Sequence, residues 1–234
     1  MYANSRTVES AQAGPHEKLA ELVARHIGEA FRKPIAAHTA AAYEATLREW
    51  DGRAPLLLDA GCGVGWSTLA LARAWPDHFV LGVDQSEDRI GRGKPEDAPD
   101  NLRFVRADLV DFWRLLRRDG LKLDRHYLLY PNPWPKIGQL ARRWQGHAVL
   151  PEMLALGGLL ELRSNWKIYV EEFALAVTQV TGIAGEFAEY ETEDPLTPFE
   201  RKYRDSGQAL WRYTVDLRDA SPGQPNEAAV WEHA

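Results

Sequence analysis

Between Leu56 and Trp66 the chain reads Leu-Leu-Leu-Asp-Ala-Gly-Cys-Gly-Val-Gly-Trp. Asp59 closes an apolar run, and Gly61, Gly63 and Gly65 follow at alternate positions. Glycines let a backbone take positive φ and come close to a ligand, and the start of a helix offers free N–H groups. A dinucleotide fingerprint would read Gly-x-Gly-x-x-Gly and face a pyrophosphate. Here the spacing is Gly-x-Gly-x-Gly, Trp66 holds the sixth place, and an acid precedes the loop. Asp59 would repel a pyrophosphate and suits a ligand with an ammonium group, such as the methionine end of S-adenosylmethionine. Asp84 ends the next apolar run, Phe79–Val83, where a carboxylate accepts both ribose hydroxyls. Asp108 follows the run Leu102–Val105 and could hydrogen-bond an adenine amino group. Three carboxylates at three successive strand ends fit a crevice site in an open α/β sheet.

A second segment, Tyr130-Pro131-Asn132-Pro133-Trp134-Pro135-Lys136, follows a fourth apolar run. Its prolines lock φ and hold the loop rigid. Trp134 offers a flat face for a base, and Lys136 offers a cation for phosphate; the plainer reading is a rigid loop whose Trp packs in the core. Lys136, Arg142 and Arg143 lie in a stretch without acids, and Arg201, Lys202 and Arg204 form a second basic cluster. Together they could line one rim for RNA phosphates. Cys62 reads as a small packing residue rather than a nucleophile. The seven His show no metal-ligand spacing, so no metal is expected.

The elements that must carry these groups alternate. Leu19, Leu22, Val23, Ile27 and Phe31 recur at helical steps, and Pro34 divides that helix from an Ala-rich one over 36–50. Strands are expected at 56–58, 79–83, 102–105, 127–130 and 158–162, with helices over 67–75 and 168–180. A polar helix-like stretch interrupted at Gly91 and Gly93 falls between the second and third strands, and a last strand spans 209–217. Such alternation specifies a Rossmann-like α/β fold, an open, mostly parallel sheet with helices on both faces. Residues 1–50 read as an N-terminal helical extension opening on a loose polar lead-in, 51–218 as the ligand-binding domain, and 219–234 as a flexible tail. The five acids of 186–194 read as a solvated face.

Composition sets the outer bounds. With 234 residues, 45% hydrophobic and 26% charged, the chain reads as a globular protein of one large domain or a domain with small appendages. A net charge of −6 excludes a surface positive throughout but leaves room for a local basic patch. One cysteine excludes an intramolecular disulfide. No apolar run has the length of a signal peptide or a membrane span, so a cytoplasmic location without membrane contact is expected.

Taken together, the glycine loop, Pro131-Asn132-Pro133-Trp134-Pro135-Lys136, Ser164-Asn165-Trp166…Tyr169 and Thr197-Pro198-Phe199-Glu200 resemble the motifs of the bacterial tRNA guanine-N7 methyltransferases. The resemblance spans roughly 56–217. It implies a class I methyltransferase using S-adenosylmethionine, with tRNA as partner and a monomer or homodimer as the working form. Carried over residue by residue, it implies cofactor contacts from Asp59, Gly61, Gly63, Gly65, Asp84, Asp108 and Asn132, with Asn132 also at the reacting centre. It implies substrate contacts from Trp134, Lys136, Asn165, Thr197, Phe199 and Glu200. The chain departs from the family at two places, with Asn132 and Asn165 standing where the family has Asp. A carboxylate accepts from guanine N1–H and N2–H together, whereas an amide offers one acceptor and a competing donor. Asn132-Pro133-Trp134 also partly resembles the Asn-Pro-Pro-aromatic motif of enzymes that methylate exocyclic amines. Methylation of another nitrogen, in RNA or a small molecule, and a non-catalytic cofactor- or RNA-binding relative are the alternatives. The glycine spacing is wrong for a nicotinamide oxidoreductase.

Overall fold

The computed structural model describes residues 5–90 and 98–220. Five strands run parallel: β1 (Leu56–Ala60), β2 (Phe79–Asp84), β3 (Leu102–Arg106), β4 (Arg125–Leu129) and β5 (Leu159–Ser164). The strand β7 (Leu210–Asp216) pairs antiparallel with β5 and with the edge strand β6 (Glu186–Tyr190). The spatial order is β3-β2-β1-β4-β5-β7-β6. Every residue of β1 and β2 is buried, as continuous apolar runs must be when helices cover both faces of a parallel sheet. Alternation along β1 then divides the core. Leu56 and Leu58 join the larger cluster, and Leu57 joins a smaller one with Leu69, Val80 and Leu129 on the opposite face.

Helices α1 (Leu19–Gly28) and α2 (Ala37–Arg48) contribute Leu19, Val23 and Tyr43 to the larger cluster. The N-terminal helices therefore share the sheet's own core. Helix α3 (Trp66–Ala74) follows β1, the short α4 (Glu87–Ile90) follows β2, and α5 (Leu109–Arg118) follows β3. The 3-10 turns Ile137–Arg142 and Trp144–Gly146 and the helix α6 (Leu150–Leu154) lead into β5. Helices α7 (Lys167–Thr181) and α8 (Pro198–Asp205) complete the fold. Of these, α5, α6 and α8 are additions to the expected elements, and α1 stops at Gly28, leaving Phe31 outside it to meet His147 and Arg114.

Two expectations are corrected. The five acids of 186–194 are exposed as expected, but 186–190 also form β6, with Phe187 stacked on Trp211 at 5.4 Å. Outward charges are the usual protection of an edge strand. The polar lead-in is not loose over 5–16. Ser10 Oγ donates to Pro135 O at 2.7 Å, His16 N donates to Glu172 at 2.9 Å, and Gln208 Nε2 donates to Ser5 O at 2.8 Å. The expected break at Gly91 and Gly93 and the tail after residue 220 lie outside the described residues. Among the described residues no helix is long and apolar enough to cross a membrane, and no group of His, Cys, Asp and Glu could hold a metal ion.

Candidate active site

Strand β1 lies between β2 and β4, so the chain winds away from it in both directions. Ligands of open α/β sheets bind outside the carboxyl ends of the strands at such a switch point. The glycine loop leaves the end of β1 and the proline-tryptophan loop leaves the end of β4, so the two flank that crevice. A cavity of about 580 Å³, lined by Phe31, Arg114, Arg117 and Arg118 among others, lies beside the far end of α5. Its arginines are already paired with Asp111, Glu152 and Asp119.

The glycine loop is tied to the sheet by its own backbone. Gly61 N and Cys62 N both donate to Val83 O, at 2.8 and 3.1 Å. Gly61, Gly63 and Gly65 have φ of +80°, +58° and +82°. Gly65 is required for packing as well, because a Cβ there would sit 2.4 Å from the Phe104 ring. At Gly63 a Cβ would meet nothing within 4 Å, so the loop presents open backbone. Asp84 holds that shape: its Oδ2 accepts from Gly63 N at 3.0 Å and its Oδ1 from Ser86 N at 2.8 Å.

Asp59 lies beneath the loop, 1% exposed, and its Oδ2 accepts the hydroxyls of Ser67 and Thr68 at 2.6 and 2.7 Å. Burial pushes its carboxyl up to about 6, although both hydroxyls act the other way. Its visible work is to fasten the first turn of α3. Asp108 is the N-cap of α5, accepting from Val110 N at 2.8 Å, and its Oδ2 receives Lys33 Nζ at 3.2 Å. Burial, followed by the neighbouring Asp59 and Asp84, pushes the Cys62 thiol far up. A thiol held protonated is a packing group.

The loop after β4 carries two non-glycine residues at positive φ, Tyr130 at 52° and Trp134 at 46°. Such geometry persists only where the surroundings over-determine it. Tyr130 N donates to Arg163 O at 2.8 Å, and its hydroxyl meets Glu200 at 3.2 Å and Tyr190 at 2.8 Å. Trp134 O accepts from Arg143 Nε at 3.1 Å, and Lys136 O accepts from Arg143 at 3.5 Å. The expected placing of Arg143 on an RNA-facing rim is thereby corrected. Arg143 is 0% exposed and forms a two-pronged ion pair with Glu172, at 2.9 and 2.7 Å. Its neighbour Arg142 is exposed and lies 4.8 Å from the Trp134 ring. Lys136 and Asn132 are also exposed, and Asn132 Oδ1 accepts from Trp134 N at 3.4 Å.

Thr197, Pro198 and Glu200 build the start of α8. Thr197 Oγ1 accepts from Glu200 N at 2.9 Å, and Pro198 stands in the first turn, where its missing N–H costs nothing. Glu200 is fully buried and accepts from Arg163, Tyr130, Tyr190 and Leu196 N. With those partners around its carboxylate, the expected direct substrate contact gives way to support of Tyr130 and Arg163. Thr197, also buried, supports α8 in the same way. Phe199 alone of that motif stands out, 54% exposed. Arg201 lies over Trp66 at 5.1 Å, joining α8 to the glycine loop. Arg204 is committed to Asp205 and to the carbonyls of Thr192 and Glu193.

Asn165 belongs to a relay whose direction is fixed by a backbone carbonyl. Ser5 O can only accept, so Gln208 turns its amide nitrogen to it and its oxygen to Asn165, which donates at 2.8 Å. An aspartate has no proton to give there. The amide at 165 therefore matches Gln208 and the lead-in. Neither Gln208 nor residues 5–16 carries a local signal in the sequence that would have shown it.

A family model described as "Putative methyltransferase" matches residues 53–213. Two solved structures share the fold. One is titled as an antibiotic-related methyltransferase (15% identical, TM-score 0.54, covering 80% of this chain and 97% of that one). The other is the 16S rRNA methyltransferase KamB (20% identical, TM-score 0.54, covering 79% and 95%). Among relatives, the tRNA (guanine-N(7)-)-methyltransferase of Saccharophagus degradans is 34% identical over 174 residues, covering 68% of this chain and 73% of that protein. The enzyme of the same name from Stutzerimonas stutzeri is 30% identical over 180 residues, covering 70% and 75%. With its glycine loop, its proline-tryptophan loop and these matches, the chain belongs to the tRNA (guanine-N7)-methyltransferase family.

Proposed function

We propose that this protein transfers a methyl group from S-adenosylmethionine to N7 of a guanine in tRNA. The observation that carries the reading is the pairing of two loops at one switch point. One is open backbone at Gly63 held by Asp84, and the other is a strained, braced loop presenting Asn132, Trp134 and Lys136. The names of the relatives supply the substrate.

The residues present fit the cofactor. The backbone over Gly61–Gly63 is a cradle that a side chain would fill, and Asp84 stands at the strand end where ribose hydroxyls need an acceptor. Asp108 is the candidate for the adenine amino group, and Asp59 fixes the α3 turn from below. When bound, S-adenosylmethionine supplies an electrophilic methyl group on a sulfonium. Guanine N7 offers an in-plane lone pair and carries no proton at neutral pH, so the chain needs no general base. Its work is to align the base and exclude water. Trp134, beside Asn132, offers the flat face for that alignment, and Glu200, Arg163 and Arg143 hold the loop in place. Lys136, Arg142, Arg201 and Lys202 are the cations left for RNA phosphates once Arg143 and Arg204 are withdrawn.

Asn132 supports a second reading, in which the acceptor is an exocyclic amine, because an exposed amide oxygen can accept from an amino group. One experiment separates the two. Unmodified tRNA is incubated with the protein and labelled S-adenosylmethionine, and the nucleosides are resolved by mass spectrometry. Label in 7-methylguanosine is expected. Label in another nucleoside moves the reading to the amine, and label in none removes RNA methylation.

A further inference from the structure

Three large apolar side chains stand exposed among the described residues: Trp66 at 43%, Ile137 at 49% and Phe199 at 54%. They come from three separate segments, yet all border the same crevice. Trp66 opens α3 directly after the glycine loop, Ile137 follows the proline-tryptophan loop, and Phe199 lies in the first turn of α8. Two of them join into a surface. Arg201 lies over Trp66 at 5.1 Å, while Phe199 stacks on Tyr203 at 6.3 Å and the Tyr203 ring lies tilted against Tyr130 at 5.6 Å. The aromatic ledge thus runs along α8 from the glycine loop to the base of the loop after β4.

Resting on the proposed methylation of tRNA, we infer that Trp66 and Arg201 form a stacking platform for a nucleobase beside the target guanine. The chemistry of the target requires such a partner. N7 of a paired guanine lies in the deep, narrow major groove of A-form RNA, which side chains do not enter. A guanine within such a helix must therefore be unstacked to be methylated, and its neighbour then loses a stacking partner. An exposed indole at the lip of the cofactor loop replaces that partner whatever the base, because every base has a π-face. Arg201 adds the charge complementarity. It is a cation on the indole, next to Lys202 in sequence, in a chain of net charge −6. This platform reads no sequence; it stabilises the opened RNA.

The test uses the full chain, unmodified tRNA and titrations from low to moderate salt. Replacing Trp66 by Ala or Leu should weaken tRNA binding about 10-fold, and Trp66→Phe should recover most of it. Stacking releases no counterions, so the slope of log affinity against log salt should be unchanged in Trp66→Leu. In Arg201→Gln the slope should become shallower by about one. The KM for tRNA should rise by more than kcat falls, with cofactor affinity by calorimetry as in the wild type. Wild-type affinity for tRNA in Trp66→Leu overturns the inference, as does a loss that follows cofactor affinity. Absence of tRNA methylation by the wild-type protein overturns the parent reading and this inference with it, and that result is read before any variant is made.

Discussion

Removal of Glu172 tests whether the loop after β4 is held from below. Glu172 and Arg143 are each 0% exposed. Besides two contacts from Arg143, the carboxylate accepts from Gln145 Nε2, Gln12 Nε2 and His16 N, each at 2.9 Å. Glu172→Ala leaves the guanidinium buried without a counter-charge, which costs about 3–5 kcal/mol. In a chain of this size each kcal/mol moves Tm by roughly 2–4 °C, so a fall on the order of 10 °C is expected by thermal melting. A double exchange, Glu172→Leu with Arg143→Met, removes both charges but strands Gln145 Nε2, Gln12 Nε2 and His16 N, so it should regain only part of that stability. It also leaves Trp134 O without its donor, whereas Lys136 O keeps Gln139 N at 2.9 Å, so turnover should stay low while Tm partly recovers. Glu172→Ala within about 1 kcal/mol of wild type would refute the clamp. Full recovery of turnover in the double variant would refute its role in holding the loop.

Asp84→Ala should weaken S-adenosylmethionine binding by about 1.5–3 kcal/mol in calorimetry, and unchanged affinity would remove the ribose assignment. For Asp59 the folded carboxyl titrates at about 6 against an ordinary 3.8. The folded state therefore binds more protons between those values, and this group's contribution to stability falls as pH rises through them, then levels off. Asp59→Asn should consequently gain on the wild type between pH 4 and pH 7, by up to about 3 kcal/mol; a difference flat with pH in urea titrations would contradict it. Gly65→Ala, at positive φ and against Phe104, should cost about 1–3 kcal/mol. Gly138→Ala, where a Cβ meets nothing within 4 Å, should cost far less in the same denaturation assay.

What the sequence determined by itself was whatever depends on neighbours along the chain. Unbroken apolar runs such as Leu56-Leu57-Leu58, bounded by turn residues and alternating with helical stretches, read as buried strands, and each ends at an acid or a turn, so the three strand-end carboxylates were legible. The alternate glycines announced a loop of positive φ before the structure gave +80°, +58° and +82°. Thr197-Pro198-Phe199-Glu200 carries the N-cap, the first-turn proline and the N3 acid of a helix start, a local signal that was present but hidden by its resemblance to a substrate motif. Tertiary structure decided what each polar group does. Arg143 has the same local surroundings as Arg142, yet Arg143 is buried against Glu172 and Gln12, 29 and 131 residues away, while Arg142 faces solvent. Asn165 is an amide because Gln208 and a carbonyl 203 residues from it demand a donor. Burial makes an unpaired charge or donor costly, so a polar residue's role is set by the partners that the fold brings to it, and those partners lie too far along the chain to leave a mark beside it.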